Sequence, residues 1–560
     1  TVNGGTLLVN GSTVLSSLTT VNAGGTLAGT GVVGNTVING GTLSPGSSIG
    51  TLTVQGSLTF TAASRYMVEV STASSDHTNV IGAANLGGAT VAATFAPGSY
   101  VARQYTILSA TGGRGNTTFS AQVNSNLPAN FASTLSYDAN NAYLNLTLNF
   151  TPGPTPPHYV PLNDNQRNVG NALVGFFDRT GGIPMAFGAL NAAGLTQVSG
   201  ETATGSQQTT FDAMNMFIGL LTDPFLTGRG DPAWPAPDAL PYAENSDALA
   251  YAARAARSPS EREAYAAMYR KAPPLPVPNF EQRWSVWAAG FGGSQTTDGN
   301  TATGSNTATS RVYGAAVGAD YRIAPRTLAG FALAGGGTNF SVANAGSGRS
   351  DLFQAGAFLR HAVGPAYLSG ALAYGWQDIT TDRIVTVAGI DRLRAQFNAN
   401  AWSGRIEGGY RIANPWLGLT PYAAGQFTSF ELPAYAESMA SGANTFALSY
   451  AAKTVTASRS ELGLRSDRSW AVGDGVFTLR GRAAWAHDFN TDRNVQATFQ
   501  TLPGASFVVN GAAHARDAAL ASGSAEMRFA SGLSLAATFE GEFSDVTRSY
   551  AGKGVARYAW

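Results

Sequence analysis

Two glycine-rich motifs near the start of the chain contain residue types found in enzyme active sites. Gly46–Gly50 matches GxSxG, with Ser48 as the nucleophile, and Gly29–Gly34 matches the GxGxxG pattern of dinucleotide-binding loops. Both chemistries need a helix directly after the motif, and the nucleophile also needs an acid and a histidine later in the chain. Strand-like residues follow each motif instead. The sequence therefore predicts that the protein is not an enzyme, with a surface esterase that uses Ser48 as a remote alternative.

Metal and cofactor chemistry find no better support in the sequence. The chain has no cysteine, and its histidines are scattered without the spacing of metal ligands. They are His77, His158, His361, His487 and His514. We therefore expect no metal and no cofactor. The 34 basic and 34 acidic residues give a formal net charge of zero, which argues against nucleic acid as a partner.

The composition points to a membrane protein of an unusual kind. Only 12% of the 560 residues are charged, against about 25% in typical soluble domains, and 67 are glycine. No run of 18 apolar residues predicts a transmembrane helix, so a membrane-embedded chain must form a closed barrel. The length predicts two or three domains. Because the chain begins at Thr1 without a signal peptide, we expect it to be a fragment.

The charged residues of the second half lie on one face of alternating segments. In one segment Trp402 and Ile406 alternate with Arg405 and Glu407, as in a strand with an apolar and a polar face. An arginine in the middle of a bilayer costs about 2–4 kcal/mol, so we expect the polar face to line a lumen. The predicted lumenal charges are Arg405, Glu407, Arg480, Arg482, Glu526, Glu540 and Glu542. They would hydrate the bore and hold a helix, or simply pair across neighbouring strands.

Residues 281–560 are predicted to form an antiparallel transmembrane β-barrel of 12 strands. The strands begin near Gln282, Arg311, Thr327, Asp351, Ala366, Arg394, Trp416, Val455, Val476, Ala515, Leu533 and Arg548. Short turns, such as Ala530–Gly532, alternate with long loops, such as Thr296–Thr309 and Asp488–His514. An even number of strands with short turns at one end and long loops at the other is typical of outer-membrane proteins. A bore of this size accommodates one helix.

The last strand ends the chain on an aromatic ring. From Arg548 onward, small and aromatic residues that include Tyr558 and Trp560 alternate with residues that include Lys553 and Arg557. This pattern suits a strand between lipid and a polar lumen, with its terminal ring at the membrane interface. It resembles the C-terminal signal that the barrel-assembly machinery of Gram-negative bacteria reads. The resemblance implies that Tyr558 and Trp560 belong to that signal.

The first 60 residues contain a repeat. Gly-Gly-Thr-Leu occurs at Gly4–Leu7, Gly24–Leu27 and Gly40–Leu43, each time after a β-branched residue and Asn. Short strands separated by glycine at such a period predict stacked rungs of a parallel β-helix over residues 1–60. Strand-like segments richer in aromatic residues then predict a β cap over residues 61–150.

A Pro-rich linker and helical segments are predicted between the cap and the barrel, over residues 151–280. Apolar residues have helical spacing in Asn165–Arg179 and Glu201–Leu221, and a third pattern covers Ser246–Lys271. We expect the charged end of the third pattern, Ser260–Lys271, to lie in the barrel lumen, and leave the two earlier helices unplaced. The tripeptide Arg229–Asp231 matches a cell-adhesion motif, which we attribute to chance.

Taken in order, the repeat, cap, helical linker and barrel resemble a monomeric autotransporter of type V secretion. The resemblance covers the whole chain except the helices near 160–240, and it makes the cap similar to the autochaperone segment of that family. It implies an outer-membrane translocator that displays its own β-helical passenger on the cell surface. The implied partners are outer-membrane lipid, the barrel-assembly machinery and periplasmic chaperones, and we expect a monomer. The alternative is a porin-like channel with an accessory β domain.

Overall fold

The computed structural model describes residues 1–71, 74–96, 101–150, 161–223, 283–324, 326–413 and 417–560. They divide into two compact units, residues 1–195 with 502–507, and residues 196–501 with 508–560. No helix in these ranges is both long enough and apolar enough to cross a bilayer.

The first unit consists mostly of short strands. They are β1 (Gly5–Leu8), β2 (Ser12–Thr13), β3 (Thr19–Asn22), β4 (Gly25–Gly29), β5 (Val32–Val33), β6 (Thr36–Asn39), β7 (Thr42–Pro45), β8 (Thr51–Val54), β9 (Leu58–Phe60), β10 (Arg65–Val70), β11 (His77–Val80), β12 (Ala84–Asn85), β13 (Thr90–Phe95), β14 (Val101–Ala102), β15 (Gln104–Ala110), β16 (Ala121–Ser125), β17 (Phe131–Tyr137), β18 (Asn141–Leu148) and β19 (Gly182–Ile183). The helices in this part of the chain are α1 (Asp164–Thr180), α2 (Met185–Gly188) and α3 (Ala192–Val198).

Strands β1 to β16 stack as a parallel β-helix, as the repeat predicted. Three parallel sheets have the orders β1-β4-β7-β10-β13-β16, β2-β5-β8-β11-β15 and β3-β6-β9-β12. The leucines of successive repeats lie in register, and Leu27 and Leu43 are fully buried. The asparagines of the repeat form a ladder, in which Asn22 donates to Asn3 at 2.7 Å and Asn39 donates to Asn22 at 3.0 Å. The repeat therefore supplies both an apolar interior and a polar stack.

Parallel pairing continues beyond residue 60, where the sequence suggested that a cap begins. β10, β13 and β16 still pair in parallel, and only β18 and β17 add antiparallel strands beside β15. The interior changes here from leucine to the rings of Phe60, Tyr66 and Phe119, and the Tyr66 and Phe119 rings stack at 5.6 Å. Larger side chains enclose a wider rung, which explains why the short Gly-Gly-Thr-Leu period disappears from the sequence while the solenoid continues.

Helix α1 occupies the place where the first helical pattern predicted a helix. Asn163 and Gln166 form a capping box, in which each side chain binds the backbone N–H of the other residue at 2.9 and 3.0 Å. Gly181 ends the helix with φ of 79°, a conformation that glycine adopts without strain. The apolar stripe, which includes Val169 and Leu173, is buried within the first unit.

The second unit contains helix α4 (Thr202–Leu221) and the strands of the barrel. The strands from here to the end of the chain are β20 (Trp284–Thr297), β21 (Ala308–Ala324), β22 (Thr327–Val342), β23 (Gly346–Val363), β24 (Ala366–Val385), β25 (Asp391–Tyr410), β26 (Ile412–Ala413), β27 (Gly418–Leu432), β28 (Tyr435–Ala436), β29 (Ser438–Ser441), β30 (Leu448–Tyr450), β31 (Lys453–Val472), β32 (Gly475–Asp488), β33 (Asn494–Phe499), β34 (Ser506–Asn510), β35 (Asp517–Phe529), β36 (Leu533–Phe543) and β37 (Thr547–Ala559).

Twelve long strands close into an antiparallel barrel, which confirms the predicted fold. Each long strand pairs with the next, and β37 returns to pair with β20, with Tyr558 opposite Val286. Every strand begins within five residues of its predicted start. Short turns such as Val363–Ala366 lie at one end of the barrel. The two longest connections, β27 to β31 and β32 to β35, lie at the other. In outer-membrane barrels the short turns face the periplasm and the long loops face outward.

Several predictions concern residues outside the described ranges. These are the Pro-rich stretch at 151–160, the tripeptide Arg229–Asp231 and the third helical pattern, Ser246–Lys271, with its proposed lumenal end at Ser260–Lys271.

One buried carboxylate makes the stability of the β-helix depend on pH. Asp76 is buried between rungs, where it accepts hydrogen bonds from the backbone N–H groups of Gly50 and Glu69, both at 2.9 Å. Burial raises the pKa of Asp76 to about 6, against the opposing effect of these two hydrogen bonds. Because the folded state favours the protonated acid, Asp76 stabilises the rungs fully below about pH 4. This stabilisation is lost as the pH rises through about 6.

We expect amide exchange in β8 and β11, corrected for its intrinsic pH dependence, to become faster between pH 4 and 7. A shift of this size corresponds to about 2–3 kcal/mol of stability. Asp76→Asn, which cannot ionise, should remove most of this pH dependence. An unchanged pH dependence in Asp76→Asn would assign the effect to other carboxylates.

Candidate functional site: the bore of the barrel

Strand alternation places the apolar and charged residues on opposite sides of the barrel wall. Arg405 and Glu407 point into the barrel and are 8% and 1% exposed, whereas Trp402 and Ile406 point outward and are 51% and 64% exposed. The outward surface is apolar over the middle of the strands and suits lipid. The direction of alternation that the sequence left open is thus apolar outside and charged inside.

Helix α4 lies within the bore and packs its apolar side against one half of the wall. Its side chains Phe211, Met214, Phe217, Ile218 and Leu221 share a buried cluster with inward-facing residues of β20–β27. Glycines of the wall provide the space. A Cβ at Gly375 would lie 2.7 Å from the sulfur of Met214, and one at Gly356 would lie 2.5 Å from Leu221. The fit is close enough that side chains at these two positions would displace the helix.

The opposite side of α4 makes polar contacts with three different strands. The Ser310 hydroxyl on β21 donates to the Asp212 carboxylate, and the Gln426 amide on β27 donates to Asn215 at 2.5 Å. At the end of the helix, Lys553 on β37 forms an ion pair with Asp223 at 2.8 Å. The helix is therefore fixed in rotation by its polar side as well as by its apolar side.

A network of charges lines the wall that faces this polar side. Glu407 binds Arg465 at 2.7 Å and Arg405 at 2.9 Å. Glu461 binds Arg405 at 2.6 Å and Arg482 at 3.1 Å. All five side chains are less than 20% exposed. Buried charges are costly unless paired, so each member of the network holds its neighbours in place.

Further ion pairs extend the charged wall to β32–β37. Arg459 binds Glu542 and, at 2.8 Å, Asp488. Arg480 pairs with Glu526. Lys553 contacts Glu540 at 2.9 Å in addition to the helix.

All seven predicted lumenal charges lie in these ion pairs, and each pairs within the wall. Sequence reasoning missed Arg459, Glu461 and Arg465, which lie on β31. Their shared odd numbering, on the same face of one strand, was the available signal.

A cavity of about 150 Å³ remains between α4 and the charged wall. Its lining includes Asp212, Asn215 and Asp223 from the helix and the arginines and glutamates of the network. The space is large enough for a few water molecules, and its polar lining offers them partners. The helix thus leaves a small hydrated pocket in the part of the bore that the structure describes.

The start of α4 is held at the long-loop end of the barrel. The loop residue Asn306 donates its backbone and side-chain N–H groups to Glu201 at 2.6 and 2.5 Å, and Tyr450 donates to the carbonyl of Gly200 at 3.3 Å. Burial raises the pKa of Glu201 to about 7, although the Asn306 contacts oppose this shift. The chain therefore enters the bore from the end with the long loops.

The two residues of the predicted assembly signal lie on the outer face of the last strand. Tyr558 and Trp560 are 46% and 47% exposed, and their rings lie 5.8 Å apart at an angle of 26°. β37 pairs with both β36 and β20. These rings are thus at the closing seam, at the short-turn end of the barrel.

The two enzyme-like motifs lie in the β-helix. Gly29–Gly34 spans parts of β4 and β5, and the exposed Ser48 lies in a bend before β8. A strand follows each motif, so neither has the required helix. No group of three or more His, Cys, Asp or Glu suited to a metal occurs within the described ranges.

Comparison with known protein families identifies one domain. Residues 286–540 match the family described as "Autotransporter beta-domain". The match covers almost the whole barrel, including the charged wall and the strands that surround α4.

Curated relatives resemble part of the chain. Two proteins from Serratia marcescens, both named "Extracellular serine protease", are 28% identical over 238 residues and 27% identical over 197 residues. These matches cover 42% and 35% of this chain but only 22% and 18% of the relatives. The chain spans about a fifth of the length of these relatives.

Two solved structures resemble the barrel weakly. The translocator domain of autotransporter NalP from Neisseria meningitidis is 18% identical with a TM-score of 0.41, covering 50% of this chain and 89% of that one. The beta domain of the Bordetella autotransporter BrkA is 20% identical with a TM-score of 0.38, covering 50% of this chain and all of that one. At TM-scores this low, we draw no conclusion from either structure.

The charge network should be required for barrel stability. Glu407→Gln removes the carboxylate of Arg465 and one carboxylate of Arg405. Breaking such buried pairs costs about 3 kcal/mol or more, so the barrel should unfold at a lower temperature. The measurement is the temperature at which the folded barrel loses its compact migration on denaturing gels.

Glu431→Gln is the matched control, because Glu431 is exposed on the outer side of β27. This control should unfold like the wild type. Equal unfolding temperatures for both variants would contradict a structural role for the Glu407 pairs.

Proposed function

Because residues 286–540 form an autotransporter β-domain, which is an outer-membrane translocator, we propose that this barrel exports the β-helical part of the chain and displays it on the cell surface. The proposed passenger includes at least the parallel β-helix and its antiparallel end. The barrel itself lies in the outer membrane of a Gram-negative bacterium.

The orientation of α4 is the observation that carries this proposal. Glu201, which directly precedes the helix, binds the loop residue Asn306 at the long-loop end. The helix then continues inward to Asp223, which binds Lys553. Because long loops face the outside of the cell in such barrels, the chain preceding the helix leaves the barrel on the outer side. An exported passenger requires this direction.

The β-helix suits export in an unfolded state. The chain has no cysteine, so no disulfide can block its passage through a narrow bore. Each rung buries its apolar face only by stacking on another rung, so folding proceeds by addition of rungs. Rungs that stack outside the membrane would bias the movement of the chain outward.

Assembly of the barrel requires partners that recognise its last strand. We assign Tyr558 and Trp560 to recognition by the barrel-assembly machinery, after delivery by periplasmic chaperones. Both rings project from the seam strand, where a partner can reach them before closure. A single chain closes the barrel, which favours a monomer embedded in outer-membrane lipid.

An enzymatic role fits this chain less well than export. The translocator domain is not itself catalytic, and the curated relatives named as extracellular serine proteases are about five times longer than the stretch they share with it. Ser48 precedes a strand rather than a helix, against the context that an esterase needs. The porin-like alternative is disfavoured because α4 occupies the bore.

Protease treatment of intact cells tests the proposal. A signal peptide and an epitope are added before Thr1, and the protein is expressed in a Gram-negative host. Protease should remove the epitope from intact cells and leave a protected fragment of about the size of the barrel. Cleavage of the epitope only after the outer membrane is opened would place the β-helix in the periplasm and contradict the proposal.

The same assay separates export from barrel assembly. Tyr558→Ala combined with Trp560→Ala should lower the amount of folded barrel and of surface epitope together. Tyr313→Ala, which removes an outward-facing ring far from the seam, should leave both near wild type. Equal losses in the two variants would contradict a specific role for the last two rings.

A further inference from the structure

Polar side chains replace apolar ones on the outer surface where β21, β22 and β23 approach the long loops. Arg311 on β21 lies directly opposite Asn339 on β22, and Asn339 lies directly opposite Arg349 on β23. All three residues are exposed on the outer face. Neighbouring strands lie about 4.8 Å apart, so the two arginines are anchored roughly 10 Å from each other. We term these three residues the arginine row.

The arginine row lies directly above the apolar belt of the barrel. The exposed outward-facing residues of β21 and β23 below the row include Tyr313, Val317, Ile323, Phe353, Leu359 and Val363. In both strands this apolar stretch spans ten residues, which rise about 25 Å in a tilted strand and match the height of a lipid-facing belt. The row therefore lies at the level where lipid headgroups replace acyl chains.

The arginines of the row lack the carboxylate partners of their neighbours. Arg394 binds Asp382 at 2.7 Å, and Arg548 lies 3.7 Å from Asp298. Within the residues that the structure describes, neither Arg311 nor Arg349 forms a hydrogen bond or ion pair through its side chain. Two exposed guanidinium groups with an amide between them are thus available to a ligand outside the protein.

Phosphate is the ligand chemistry that fits this arrangement. Guanidinium groups bind phosphate through two parallel hydrogen bonds, and the Asn339 amide adds a donor between them. An arginine near a membrane surface that carries anionic lipid contributes about 1 kcal/mol to binding. The adjacent acyl chains would rest on the rings and aliphatic side chains of the belt.

We propose that the arginine row binds the phosphate groups of an anionic glycolipid in the outer leaflet of the outer membrane. The proposal rests on the membrane placement and orientation of the barrel and not on export of the β-helix. Asp351, which lies two residues from Arg349 on the same exposed face, opposes this binding by its negative charge. It gives the test a residue whose removal should act in the opposite direction.

Titration of the full chain, folded in a neutral detergent, with diphosphoryl lipid A tests the proposal. Binding is measured by native mass spectrometry, after compact migration on gels has shown that each variant is folded. Arg311→Ala combined with Arg349→Ala should weaken binding about thirtyfold, and Asp351→Asn should strengthen it. Arg468→Ala is the matched control, because Arg468 is an exposed arginine on the outer face near the short-turn end, and it should bind like the wild type.

Two further probes separate the lipid from other ligands. Lipid A without phosphate should bind wild type no better than diphosphoryl lipid A binds the double variant. Millimolar inorganic phosphate should not displace the lipid, because it lacks the acyl chains that rest on the belt. Equal affinity for the two lipids, equal loss in Arg468→Ala, or displacement by inorganic phosphate would each overturn the proposal.

Discussion

Every backbone N–H and C=O group at the lipid boundary must bond within the protein, and the pairing of β37 with β20 completes that bonding. Closure has a second consequence, because it creates an interior in which charged residues can be placed. The alternation of each strand then assigns aromatic and aliphatic residues to lipid and arginine and glutamate to the bore. A one-residue slip would exchange the two sets, so register and charge placement depend on each other.

The bore has two chemically different halves, and α4 matches both. Its apolar side lies against alanine and glycine positions of β20–β27, where small residues leave room for Met214 and Phe217. Its polar side faces a wall whose charges are already paired with one another. The helix is therefore held by packing and by a few polar contacts, without forming most of the ion pairs itself. The cavity between them stays small and polar.

The sequence was sufficient for the barrel and insufficient for the helix. Strand number, strand starts and the charged face follow from alternation, which persists wherever one face is charged. On β22 both faces carry alanine, glycine and aliphatic residues, so no pattern showed that this part of the bore is apolar. The charged stretch Ser260–Lys271 therefore appeared better suited to the lumen than Thr202–Leu221. The extent of the β-helix beyond residue 60 was hidden similarly, because wider rungs have no short repeat.

The placement of α4 in the bore is the central claim, and disulfide formation tests it most directly. The chain has no native cysteine, so Asp212→Cys combined with Ser310→Cys gives a single possible pair. In the folded, membrane-inserted protein these two positions should form a disulfide under mild oxidation. Asp212→Cys with Ser369→Cys, an inward position on β24 near the short turns, should not. Failure of the first pair to cross-link in folded barrels, or equal cross-linking of both pairs, would contradict this placement.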